Sequence, residues 1–160
     1  MPVRAFRWSR GLGHFPGWWW TATTGCHVGF ESWLEQDRLI VLDFDPDVVG
    51  IASQPFWLHW HDGKEKRRHA PDYFVRLADG RARVVDVRAE DQVDERTAEA
   101  FAATERACSA VGWEFAHVGV PDPALMANCG GWPATGIRAA PADLRSQAGY
   151  GRYSQCRRRY

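Results

Sequence analysis

Two short segments built on Asp-Gly, His61-Asp62-Gly63-Lys64 and Ala78-Asp79-Gly80-Arg81, interrupt a long run of strand-forming residues. Asp-Gly supplies the positive φ angles of a tight hairpin turn, so a chain that arrives as a strand must leave as its antiparallel neighbour. The flanking residues are therefore read as three strands. The first is Val48–Trp60, where Pro55 marks a bulge or an edge position. The second is Lys66–Leu77, interrupted at Ala70-Pro71. The third is Arg83–Arg88, apolar at Val84, Val85 and Val87. A chain so punctuated folds around an antiparallel meander.

Helical spacing brackets the meander. Phe30, Trp33, Leu34, Val41 and Phe44 approximate one apolar stripe, Glu31, Glu35 and Arg38 another, and Asp45-Pro46-Asp47 ends the run. Asp94–Val111 forms a second helix with Ala98, Phe101, Ala102 and Ala107 or Cys108 on its apolar side, closed by Gly112. Glu114–Val120 follows as a fourth strand, then a short helical turn through Met126. Two strands that bracket a helix pair in parallel. The expected class is α/β, with a small mixed sheet.

At 160 residues, 45% of them hydrophobic, the chain has material for one core and no more. Three parts are expected: an irregular segment over 1–28, a folded domain over 29–128, and a disordered basic tail over 129–160. Trp18-Trp19-Trp20 in the first part reads as packing against the core in preference to a base-stacking platform. The zero net charge hides 14 Lys+Arg against 19 Asp+Glu before residue 129 and six Arg against Asp143 after it. Overall basicity therefore gives no argument for nucleic acid, although Arg157-Arg158-Arg159 offers a local patch. No apolar run is long enough for a membrane span or a secretory leader, and the four cysteines follow no metal or disulfide spacing. A reduced, cytoplasmic protein with no membrane partner is expected.

The chemistry concentrates at the second turn. Asp72 lies seven residues before Asp79 and Asp86 six after Gly80, so the two carboxylates face each other across the ladder. Like charges so placed destabilise a sheet unless neutralised. A divalent cation does this, and carboxylate oxygens suit Mg²⁺ or Mn²⁺. Arg88, two residues beyond Asp86, shares its face. Lys64, Lys66, Arg67 and Arg68 form a basic hairpin tip, either a solvated charge run or a contact to a phosphate backbone. His59, His61 and His69 make a rival constellation for zinc, disfavoured by a polar turn with no cysteine nearby.

Pro71-Asp72 followed by Asp86-Val87-Arg88 resembles the Pro-Asp…(Asp/Glu)-x-Lys nuclease superfamily, whose restriction-endonuclease-like core has the order αβββαβ. Upstream, Ser32-Trp33-Leu34-Glu35, Asp45-Pro46-Asp47-Val48 and Gln54-Pro55 occur in sequence. They resemble the Ser-x-x-Glu, Asp-Pro-x-Val and Gln-Pro motifs of the N-terminal catalytic domain of TnsA-type transposon endonucleases. The resemblance spans about residues 28–120. It implies that Glu35, Asp72 and Asp86, with the carbonyl of Val87, hold Mg²⁺, with Mn²⁺ as a substitute. It implies a positioning role for Gln54 and places Arg88 where the superfamily has lysine. The implied substrate is double-stranded DNA, cut on one strand at a transposon end alongside a partner transposase and an ATP-dependent regulator. A guanidinium is no general base. Two alternatives therefore stand beside the endonuclease: a catalytically degenerate DNA- or protein-binding module on the nuclease scaffold, and a stand-alone defence or repair nuclease.

Overall fold

The computed structural model describes residues 2–3 and 15–130; most of the tail, including Arg157-Arg158-Arg159, lies outside the described residues. Strands β1 (Gly17–Thr21) and β2 (Cys26–Phe30) precede helix α1 (Trp33–Phe44). Strands β3 (Val48–Ser53), β4 (Leu58–His61), β5 (Lys66–His69), β6 (Tyr73–Leu77) and β7 (Ala82–Val87) follow. Helix α2 (Glu95–Ala110), strand β8 (Glu114–Val118) and the short helix α3 (Pro123–Asn128) complete the order. Among the described residues, no helix is long and apolar enough to cross a membrane.

The main sheet has the order β3-β6-β7-β8. Its first three strands run antiparallel and β8 runs parallel to β7, as the helix-bracketed strand pair requires. The two long strands expected from the sequence are each broken. Val48–Trp60 divides into β3 and β4, because Gln54 takes a left-handed φ of 43° just before Pro55. Lys66–Leu77 divides into β5 and β6 at the buried Ala70-Pro71. The segment between the breaks leaves the main sheet and forms its own two-stranded β4–β5 hairpin. The meander is thus β3-β6-β7, with a hairpin inserted between its first two strands.

Helix α1 starts three residues later than the apolar spacing indicates. Ser32 is extended (φ −140°, ψ 162°), and its Oγ accepts the Glu35 N–H, which sets the helix boundary at Trp33. Phe30 instead closes β2. Residues 17–28, expected to be irregular, contribute a strand and most of its partner, paired Trp18 to Gly29 and Trp20 to His27. Alternation turns Trp19 toward the core and leaves Trp18 and Trp20 outward, 40% and 55% exposed.

On one sheet face, Leu39 of α1 joins Val28, Phe30, Ile51, Tyr73, Val75, Val85 and Val87 in the main core. On the other, Phe74 meets Trp113, and Phe101 of α2 meets Phe115 of β8. Strand β7 is covered on both sides, which is why Val84 and Val85 are both buried (0% and 3% exposed). Helix α3 docks Met126 against Ile40 of α1.

Asp43, near the end of α1, ties down the β1–β2 turn. Its carboxylate accepts the Ala22 and Thr23 backbone N–H groups at 3.1 and 2.9 Å and the Trp19 indole N–H at 3.4 Å. Burial raises the Asp43 carboxyl, but the bonds from Thr23, Ala22 and Trp19 together outweigh it and hold it below its ordinary value. A depressed folded-state pKa gives stability that is present above about pH 4 and lost as pH falls through the folded value. Asp43→Ala is expected to cost about 2 kcal/mol in urea unfolding at neutral pH. The difference from wild type should shrink steadily below pH 4.

Candidate active site

The register that pairs Tyr73 with Val85 and Phe74 with Val84 sets Asp72 across from Asp86, as the turn arithmetic requires. The Asp72 Oδ2 accepts the Val87 N–H at 2.7 Å, so its carboxylate is held against the backbone of the facing strand. Asp86 is 1% exposed. Both of its oxygens lie 2.9 Å from His69 Nε2. A carboxylate so buried is tolerable only with such a donor.

Asp72, Asp86, Val87 and Arg88 border one cleft of about 280 Å³ between the β4–β5 hairpin and the start of α2. Trp57, Trp60, Arg67, Arg68 and His69 supply the hairpin wall. The Trp60 indole N–H donates to Glu99 of α2 at 2.8 Å and braces that wall. Arg68 stacks its guanidinium 4.7 Å over the Trp57 ring. At the hairpin tip, Arg67 bonds Asp62 at 2.7 Å. The backbone N–H groups of Glu65 and Lys64, and then Arg67, hold the Asp62 carboxyl well below the usual range. The opposite wall carries Arg96 and Thr97. Asp94 caps α2 there: bonds from Thr97 hold its carboxyl low against a smaller effect of burial, helped by the positive field of Arg88 and Arg96.

Glu35 stands elsewhere. Its Oε2 accepts the Glu31 N–H at 2.7 Å and its Oε1 the Ser32 hydroxyl at 3.0 Å, a helix-capping arrangement. Its carbonyl accepts the Tyr73 hydroxyl at 3.1 Å. Tyr73 belongs to the α1 side of the sheet, whereas alternation turns Asp86 toward α2. Burial first, then the negative charges of Glu35, Asp72 and Glu31, push the Tyr73 hydroxyl well up, so it stays a donor. Among the described residues no three His, Cys, Asp or Glu side chains are gathered to hold one ion. The structure thus brings Asp72 and Asp86 to one cleft and leaves Glu35 outside it.

Gln54 sits behind Asp72. Its N–H donates to the Asp72 carbonyl at 2.8 Å, while its side-chain amide is buried with no partner on either atom among the described residues. The zinc constellation does not form. His59 and His61 lie on the outer face of the hairpin beside Arg68 and Lys66, and His69 lies on the inner face opposite Leu58. Sequence reasoning missed His69 as a neighbour of Asp86, and Arg96 as a cleft residue. His69 precedes Asp72 by three residues, and Arg96 follows the Asp94 cap; neither spacing identifies a site alone.

The donor set suits Mg²⁺. Two carboxylates on adjacent strands are hard oxygen ligands, and this ion takes one or two carboxylates, completing its shell with water and phosphate oxygens.

A mixed sheet in the order αβββαβ, with paired aspartates at the end of its central strands, defines the core of the restriction-endonuclease-like proteins. Within that class, residues 45–118 match the model of the TnsA-like endonuclease N-terminal domain, and this stretch is a TnsA-type domain. The match runs from the end of α1 through β8, and so includes Gln54, Asp72, Asp86 and Arg88 but not Glu35. No curated protein matches the chain.

The buried, unpartnered amide of Gln54 makes a specific stability prediction. Gln54→Met keeps the side-chain volume and removes two unsatisfied polar atoms, each of which costs about 1–3 kcal/mol. Urea unfolding should show the variant more stable than wild type by at least about 1 kcal/mol.

Proposed function

We propose that the cleft bordered by Asp72 and Asp86 hydrolyses phosphodiester bonds of double-stranded DNA with Mg²⁺, Mn²⁺ substituting. On this reading one strand is cut at a transposon end, in company with a partner transposase and an ATP-dependent regulator. The observation that supports it is the pairing of two in-register carboxylates with a rim of Arg67, Arg68, Arg88 and Arg96, inside a domain of TnsA type.

Asp72 and Asp86 would hold the ion, with the Val87 carbonyl as a further oxygen. When bound, it supplies Lewis-acid polarisation of the scissile phosphate. The remaining tasks fall to the chain. The Val87 N–H keeps the Asp72 carboxylate from rotating away. Gln54 positions Asp72 through its peptide carbonyl. Arg88, exposed and two residues beyond Asp86, offers a permanent positive charge to the phosphate oxygens as negative charge develops on them. It accepts no proton, so the attacking water loses its proton elsewhere. Lys64, Lys66, Arg67 and Arg68 hold the DNA backbone beside the cleft. Glu35, the third ligand that the resemblance implies, bonds the Glu31 N–H and the Ser32 hydroxyl outside the cleft lining.

A second reading is favoured by that engagement of Glu35 and by arginine at position 88: a catalytically degenerate binding module on the same scaffold. A nicking assay on supercoiled plasmid separates the two. Wild type is expected to nick with Mn²⁺ or Mg²⁺, and Asp72→Ala to lose roughly 100-fold or more. Arg88→Ala is expected to lose turnover without losing Mn²⁺ affinity, and Arg88→Lys to preserve or raise it, because an ammonium of tunable pKa can orient or deprotonate water. Wild type that nicks no better than Asp72→Ala belongs to the second reading.

A further inference from the structure

The contact between His69 and Asp86 joins two parts of the chain that the sheet keeps apart. Asp86 belongs to the central strand, whereas His69 ends β5 of the inserted hairpin. The Nε2 atom lies 2.9 Å from each carboxylate oxygen. A carboxylate only accepts, so Nε2 carries the hydrogen, and a neutral imidazole suffices. The Asp86 side chain is 2% exposed and that of His69 24%. Among the described residues, no other group donates to this carboxylate.

The ring is itself held. Phe101 of α2 lies edge-on to His69 at 6.4 Å and tilts against His117 of β8 at 4.7 Å. His117 Nε2 in turn donates to the Arg88 carbonyl at 2.8 Å. His69 and His117, both against Phe101, thus bond the chain at the Asp86 carboxylate and the Arg88 carbonyl. A carboxylate offers about four lone-pair directions, and one shared N–H leaves room for a cation.

We infer that His69 is a positioning residue for the nuclease site: its Nε2–H fixes the orientation of the Asp86 carboxylate toward a divalent cation. This rests on the endonuclease reading above. Partners of this kind, which orient a ligating group without touching the ion, are worth about 10–100-fold in metal affinity.

The test compares His69→Gln with His69→Met, two side chains of similar shape of which only glutamine carries an N–H donor. Mn²⁺ alone is titrated into each full-length protein by calorimetry, with circular dichroism confirming the fold. His69→Gln is expected to stay within about threefold of wild type and His69→Met to bind about tenfold or more weakly. Equal affinities in the two variants overturn the inference, as does tighter binding by His69→Met, which would make His69 a competitor of the ion. Should His69→Met fail to fold, ¹⁵N spectra of wild-type imidazoles decide: the Nε2–H of His69 should stay bonded when Mg²⁺ saturates the site, and its release overturns the role. Wild type that binds no Mn²⁺ removes the endonuclease reading and this one with it. Wild type that binds Mn²⁺ while the variants do not differ removes only the role of His69.

Discussion

A carboxylate 1% exposed on the central strand of a sheet is the constraint around which this domain is arranged. Asp86 has β6 on one side, β8 on the other and α2 above, and burial there carries a large desolvation cost unless a donor meets it. The main sheet leaves it without a donor, because His117 of β8, in register with Asp86, gives its Nε2–H to the Arg88 carbonyl. Val84, the neighbour of Asp86 along β7, is apolar, and Asp72, which faces Asp86 across the β6–β7 ladder, is itself a carboxylate. The donor comes from the hairpin inserted between β3 and β6, which turns His69 inward to Asp86. The insertion thus does two things at once. It satisfies the buried acid, and it raises a wall with basic and aromatic side chains above it.

The hairpin exists because the chain cannot continue straight at two places. At Gln54 the backbone adopts a conformation that L residues rarely take, and Pro55 has no N–H for a ladder bond. At Ala70-Pro71 the return strand is broken by a proline alone, with no left-handed residue before it. The two breaks meet: the Gln54 N–H donates to the carbonyl of Asp72, the residue after Pro71. The point where the chain leaves the sheet and the point where it returns are therefore one structure, and Asp72 is part of it. The left-handed backbone at Gln54 and its own side-chain amide, without a partner among the described residues, both carry a folding cost.

The α1 side of the sheet answers a different need. Ser32 and Glu35 cap the helix, and Tyr73 fastens its first turn through the Glu35 carbonyl, while Arg38 reaches the carbonyl of Gly119 at 2.6 Å. In this arrangement the helix is anchored at the same end of the sheet as the aspartates, but on the other face. The residue types that make a good helix cap and a good metal ligand coincide in Glu35, and here its oxygens serve the cap.

Much of the site was legible in the chain because its geometry is local. A tight Asp-Gly turn fixes the register of the strands it joins, and a period of two then sets Asp72 opposite Asp86 and Arg88 on the same side as Asp86. Both helices, the parallel last strand and the αβββαβ order follow from spacing and stop signals in the same way. What spacing could not supply was the fate of strands joined by more than a turn. Val48–Trp60 reads as one continuous strand, yet a single backbone dihedral at Gln54 sends its second half into another sheet. The same event separates His69 from His59 and His61 and turns it toward Asp86, a partner 17 residues away. Likewise, Ser-x-x-Glu reads as a helix start in the sequence, and only the structure shows the Glu35 oxygens bonded to the Glu31 N–H and the Ser32 hydroxyl. Sequence alone determined the contacts enforced by short turns and strand periodicity; tertiary structure decided those that depend on where a freed segment docks, because burial and hydrogen-bond satisfaction are summed over the whole fold.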